Sequence, residues 1–196
     1  MGRRDKLSNA RRGRACGFSM VELVVSLAIV LILTAVALPS LTKSFRVYQL
    51  NDSASRVASL LKFTRFEAIR KNTLISCQIA QTSDGNWLLW TDTNGNGSAD
   101  PGEMQNLVVG DPTLIPAGAP PPITSAVGPI PIVVASGANS TISFDHRGAV
   151  SPLQAYVLYI GSSTNPEFDY RAVVLLPSGV TQVWTAPVGG SWTRVS

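Results

Sequence analysis

The chain has 196 residues, 45% of them apolar and 14% charged, with 16 Lys+Arg against 12 Asp+Glu. Two cysteines and one histidine exclude a disulfide-framed scaffold and a multi-histidine metal centre.

The first 17 residues hold six of the basic residues (Arg3, Arg4, Lys6, Arg11, Arg12 and Arg14) and one acid, Asp5, so the remainder carries 10 basic against 11 acidic residues. The excess positive charge is therefore confined to the amino end and says nothing about nucleic acid. From Phe18 to Leu38 the chain reads FSMVELVVSLAIVLILTAVAL. As a helix rising about 1.5 Å per residue, this stretch covers roughly 30 Å, enough to cross a bilayer core. Glu22 is its single charge, and a carboxylate at that depth costs roughly 2.5–3.5 kcal/mol unless it meets a polar partner. The basic flank predicts a cytoplasmic amino end and an outward-facing remainder. A secretory signal carries its cleavage site after the apolar core, whereas here the candidate site, at Gly17, precedes it.

The leader ending at Gly17, followed by Phe18, Ser19 and Glu22 before an apolar helix, resembles a type IV prepilin. The resemblance implies that a membrane-embedded prepilin peptidase cuts after Gly17 on the cytoplasmic side and methylates Phe18. It also implies that the helix stays attached and that Glu22, the fifth residue of the mature chain, meets the amino terminus of a neighbouring subunit. Cleavage would remove Cys16 and leave Cys77 without an internal disulfide partner. Cys77 lies in the alternating run Thr73–Ile79 and reads as a buried, inert thiol.

Pro39 predicts a bend. Beyond it Val47, Leu50, Ala54, Val57, Leu61 and Ala68 recur at helical spacing and predict a face packed on the chain's own head, with Arg46, Asp52, Arg56, Lys62 and Arg70 on other faces. Basic residues at 65–71 suit the negative end of the helix dipole. From Leu74 onward short apolar runs predict strands near 74–80, 86–91, 104–109, 130–135, 140–145, 155–160, 171–176 and 180–185. About 120 residues predict one hydrophobic core rather than two. The proline-rich stretch between Asp111 and Pro131 reads as an irregular surface loop.

Asp92-Thr93-Asn94-Gly95-Asn96-Gly97-Ser98-Ala99-Asp100-Pro101-Gly102-Glu103 has the spacing of a calcium loop. Asp92, Asn94, Asn96, the Ser98 carbonyl, Asp100 and Glu103 would be the oxygen donors. Its flanks read as strands rather than helices, and an Asn/Gly-rich hairpin tip would arise for turn geometry alone. No Gly-x-Ser-x-Gly elbow, phosphate-binding lysine loop or Cys-x-x-Cys pair is present, and His146 reads as a turn residue, so the chain is expected not to be an enzyme.

The helix and β-rich remainder, with Arg65-Phe66-Glu67-Ala68-Ile69-Arg70 and Phe144-Asp145-His146-Arg147-Gly148, resemble the GspH/FimT branch of pilin-like proteins. The fold class implied is α+β: a long N-terminal helix, transmembrane in its first half, packed on a small antiparallel β-rich head. The expected organisation is a leader over 1–17, a transmembrane half-helix over 18–39, an amphipathic half-helix over 40–72 and a periplasmic head over 73–196. Asp145 and Arg147 read as a pair across a tight turn. Such subunits help to initiate or cap a type IV pilus or a type II secretion pseudopilus, with other pilins, prepilin peptidase and the bacterial inner membrane as partners. Some FimT-side members capture DNA through a carboxy-terminal glycine-arginine motif. Here Val180 and Gln182 stand where arginines would be expected, which leaves Arg171 and Arg194 beside Trp184 and Trp192 and disfavours nucleic acid.

Overall fold

The computed structural model describes residues 17–123, 128, 130–162, 164–165 and 168–195. The leader sites, including Cys16, lie outside the described residues except for Gly17.

One helix, α1 (Met20–Lys71), is followed by eleven strands: β1 (Ile75–Gln81), β2 (Trp87–Asp92), β3 (Gln105–Val108), β4 (Thr113–Ile115), β5 (Ile132–Val134), β6 (Ser140–Phe144), β7 (Val150–Ser151), β8 (Ala155–Gly161), β9 (Tyr170–Leu175), β10 (Thr181–Ala186) and β11 (Thr193–Arg194). The chain divides into two compact units, Met1–Thr42 and Lys43–Ser196. In the first, every described side chain is exposed, and the apolar start of α1 is long enough to cross a membrane. The helix assignment runs through Pro39 without a break; the Thr42 hydroxyl donates to the Pro39 carbonyl at 3.0 Å.

In the second unit, Leu50, Ala54, Val57, Leu61 and Ala68 are buried as their spacing predicts, joined by Ala58, Leu60, Thr64 and Glu67. The helix stops at Asn72, which takes a left-handed φ of 51° while the amides of Asn72 and Thr73 donate to the carbonyls of Ile69 and Ala68. A left-handed residue of this kind closes a helix by satisfying its last carbonyls, and asparagine tolerates the conformation.

The strands form two sheets. One runs β3-β2-β1-β6-β7 and is antiparallel throughout. The other runs β11-β10-β9-β8-β4, with β5 pairing in parallel beside the first residues of β8 and β4 antiparallel beside its last ones. All eight predicted strands are present, and β4, β7 and β11 are additional. β1 alternates as a one-sided strand should, with Ile75, Cys77 and Ile79 buried.

Two expectations need correction. The head holds two apolar clusters, because β8 and β9 are buried on both faces. Tyr156, Leu158, Ile160, Val173 and Leu175 join α1 and the first sheet, while Val157, Tyr159, Tyr170, Ala172 and Val174 form a second cluster with Ile115 and Ile123. Nor is the stretch after Asp111 a surface loop throughout. It contributes β4, buries Ile123 to 1% exposure, and is tied to Trp192, whose indole N–H donates to the Pro121 carbonyl at 2.8 Å. Prolines prevented continuous pairing, yet the segment still covers the second sheet. Its residues 124–127 and 129 lie outside the described residues.

Candidate functional site

Gly17, Phe18 and Ser19 precede the first helical residue without regular structure, and Phe18 is 77% exposed. The first backbone bond of the helix runs from the Leu23 amide to the Ser19 carbonyl at 3.1 Å, which makes Ser19 the N-cap and Glu22 the third helical residue. This is the spacing of a capping box, but neither side chain closes it. The Ser26 hydroxyl reaches only the Glu22 backbone carbonyl, at 2.7 Å. The Glu22 carboxylate has no partner among the described residues. It sits in the first turn of the helix, where the positive end of the dipole favours an anion.

At the other end of α1 the two stretches Arg65–Arg70 and Phe144–Gly148 meet. Arg65 Nε donates to the Gly148 carbonyl at 2.9 Å. That carbonyl faces Gly179, where an added Cβ would lie 2.0 Å from it; both glycines have φ of +79°. Asp145 does not pair with the Arg147 guanidinium across the turn. Its Oδ1 accepts the backbone amides of Arg147 and Ala149 at 2.9 and 2.8 Å. The Ala149 amide is the chief cause that holds the Asp145 carboxyl below its ordinary range. Glu67 takes Arg70 in a two-pronged contact at 2.9 and 2.6 Å, and this lowers the Glu67 pKa against the opposing effect of burial.

The stretch Asp92–Glu103 links β2 to β3 as a hairpin tip. Asp92 is 3% exposed, and its two oxygens accept the amides of Gly95 and Gly97 at 2.7 and 2.8 Å. Glu103 accepts from Thr93 and from the Asp100 amide, while Asp100 Oδ2 accepts from the Asn94 and Asn96 side-chain amides, each at 2.7 Å. The Asn96 oxygen takes the Ser98 amide at 2.8 Å. Each of these carboxylates is already met by N–H groups of the loop. Among the described residues no three His, Cys, Asp or Glu side chains form a metal-holding group.

A family model described as the type II transport protein GspH matches residues 53–179, well over half of the chain. The chain belongs to the GspH family. A second model, the prokaryotic N-terminal methylation motif, matches residues 12–38 and so includes Gly17, Phe18 and Glu22. The pilin-like protein PilA1 of Thermus thermophilus is 34% identical over 87 residues, which are 44% of this chain and 54% of that protein. The chain thus spans about half the length of this curated relative. Two crystal structures of the type IV minor pilin FimU of Pseudomonas aeruginosa are similar at 18% and 15% identity. They cover 75% and 76% of this chain and 98% and 90% of theirs, with TM-scores of 0.48 and 0.37.

Within this GspH-family chain the arginines that a DNA footprint would need are not all at the surface. Arg171 is 4% exposed, donates from Nε to Asn51 at 2.7 Å and from Nη1 to the Tyr170 carbonyl at 2.9 Å. Trp184 bonds Gln182, and Trp192 lies 5.8 Å from Tyr159 ring to ring. Cys77 is fully buried, and burial pushes its thiol pKa up to about 12.

Sequence reasoning missed a polar cluster around Asp111. Its carboxylate accepts from Arg46 at 2.8 Å, Ser162 at 2.7 Å and Thr164 at 3.0 Å, with the Arg46 guanidinium 5.5 Å from the Phe168 ring. The visible signal was Gly110-Asp111-Pro112, which reads as a turn. Partners 51 to 65 residues away leave no local trace.

Proposed function

We propose that the chain is a minor pilin or pseudopilin, a membrane-anchored, non-enzymatic subunit that helps to initiate or cap a type IV pilus or a type II secretion pseudopilus. Prepilin peptidase cuts after Gly17 and methylates Phe18. The apolar part of α1 then holds the subunit in the bacterial inner membrane, amino end in the cytoplasm and head in the periplasm, until it joins the filament. The observation that carries this reading is a methylation motif over residues 12–38 laid on an apolar stretch, 18–38, whose one acid, Glu22, has no partner among the described residues.

The chemistry follows from desolvation. An amino terminus and a carboxylate are each costly in lipid, and bringing the Phe18 amine of one subunit to Glu22 of the next neutralises both. Glu22→Ala should leave membrane insertion intact or improved while lowering incorporation into filaments at least tenfold, measured by immunoblot of sheared filaments against membranes. Unchanged incorporation would remove the role given to Glu22. Intact-mass analysis tests the processing step: the expected chain starts at a methylated Phe18, and a chain retaining residues 1–17 would overturn it.

The alternative, a DNA- or ligand-binding tip subunit, has less support because Arg171 is enclosed. No gel shift by the full chain is expected at low salt, where phosphate binding is strongest. For calcium at Asp92–Glu103 the support is the spacing of the oxygen-bearing residues alone.

A further inference from the structure

Strand β3 is a terminal strand of the first sheet, and its other edge is open among the described residues. The Thr91 amide donates to the Met104 carbonyl at 2.9 Å, and Thr91 and Met104 continue the register in which Trp90 faces Gln105. Backbone groups alternate between the two sides of an antiparallel strand. Asn106 and Val108 therefore turn theirs to β2, while Leu107 and Val109 direct N–H and C=O to the free edge. Natural edges are usually protected by charge, proline or cover. This one carries neither charge nor proline, and Met104, Leu107 and Val109 are 40%, 49% and 60% exposed.

Between this edge and the helix flank from Gln49 to Arg56 lies a groove of about 310 Å³. Asn106 lines it and has a buried amide nitrogen without a partner among the described residues. The charges around the groove are already balanced, Arg56 on Asp52 and Arg46 on Asp111, each at 2.8 Å. A complementary occupant is therefore uncharged in net terms and offers donors and acceptors in strict alternation. An extended peptide backbone does both. Added about 4.8 Å from β3, such a strand would lie over the helix flank.

We propose that the β3 edge takes an extended segment of a neighbouring subunit as a sixth strand of the first sheet, with polar residues toward the helix flank and apolar ones beside Leu107 and Val109. The inference rests on the filament reading above.

The test places the photo-cross-linker p-benzoylphenylalanine at Leu107, at Val109 and, as a control, at exposed Val188 of the full chain, expressed with its own filament system. The expected result is an adduct from positions 107 and 109, but not 188, to one extended peptide of another pilin-like subunit, identified by mass spectrometry. Leu107→Pro removes an outward N–H without touching the β2 ladder and should lower the adduct at 109 at least tenfold. Val109→Lys should do the same to the adduct at 107, so the test does not depend on the proline variant folding. If the chain is present in isolated filaments but 107 and 109 give no adduct, or cross-link a protein that is not pilin-like, the edge proposal fails and the filament reading stands. If the chain is absent from filaments, both fail.

Discussion

At Gly179 the backbone and its surroundings impose the same choice. Its φ of +79° is costly for any residue with a Cβ, and the space a Cβ would need is held by the Gly148 carbonyl and the Arg65 guanidinium. Gly179→Ala is expected to destabilise by roughly 2–5 kcal/mol, the sum of backbone strain and overpacking, read as a fall in the urea midpoint. Arg65→Ala removes the bond to Gly148 and should cost less, about 1–3 kcal/mol. Cys77 makes the complementary case, a group whose chemistry is suppressed by its site. With its pKa at about 12 and no exposure, it should resist iodoacetamide at pH 8 in the folded chain and react once urea unfolds it.

At the scale of elements, the hairpin tip holds a carboxylate that organises the backbone, and the helix end holds one paired with a side chain. Asp92→Ala leaves the amides of Gly95 and Gly97 without their acceptor and should cost about 1–3 kcal/mol. Because the tip is closed by its own N–H groups, millimolar calcium is expected to leave the melting temperature of the full chain in detergent unchanged. A rise that disappears in Glu103→Gln would establish an ion site instead. Glu67 makes a pH prediction. Its folded pKa lies below the ordinary value of 4.5 because Arg70 holds the carboxylate, so the unfolded chain takes up the proton first. The stabilisation is present above that ordinary value and is lost as pH falls through the lowered one. The stability difference between the native chain and Glu67→Gln should therefore shrink on acidification from pH 6 to pH 3.

For the whole molecule, what was legible in the sequence is what local pattern encodes. The lone Glu22 in an apolar run, the helical spacing from Leu50 to Ala68, and eight of the eleven strands all follow from residue order, because period and polarity act over a few neighbours. The strands β4, β7 and β11 are two or three residues long, too short to carry a period, and exist only because a longer strand lies beside them. The second apolar cluster was hidden for a related reason: burial of both faces of β8 and β9 depends on a proline-rich segment folding back over them. Residue order by itself determined the membrane-length helix, its single acid and the β-rich character of the rest. Tertiary structure alone decided that Asp145 serves backbone amides, that Arg171 is enclosed, that Asp111 gathers Arg46, Ser162 and Thr164, and that β3 keeps an open edge. Each of these depends on groups far apart in the chain, and only the folded arrangement sets the distances between them.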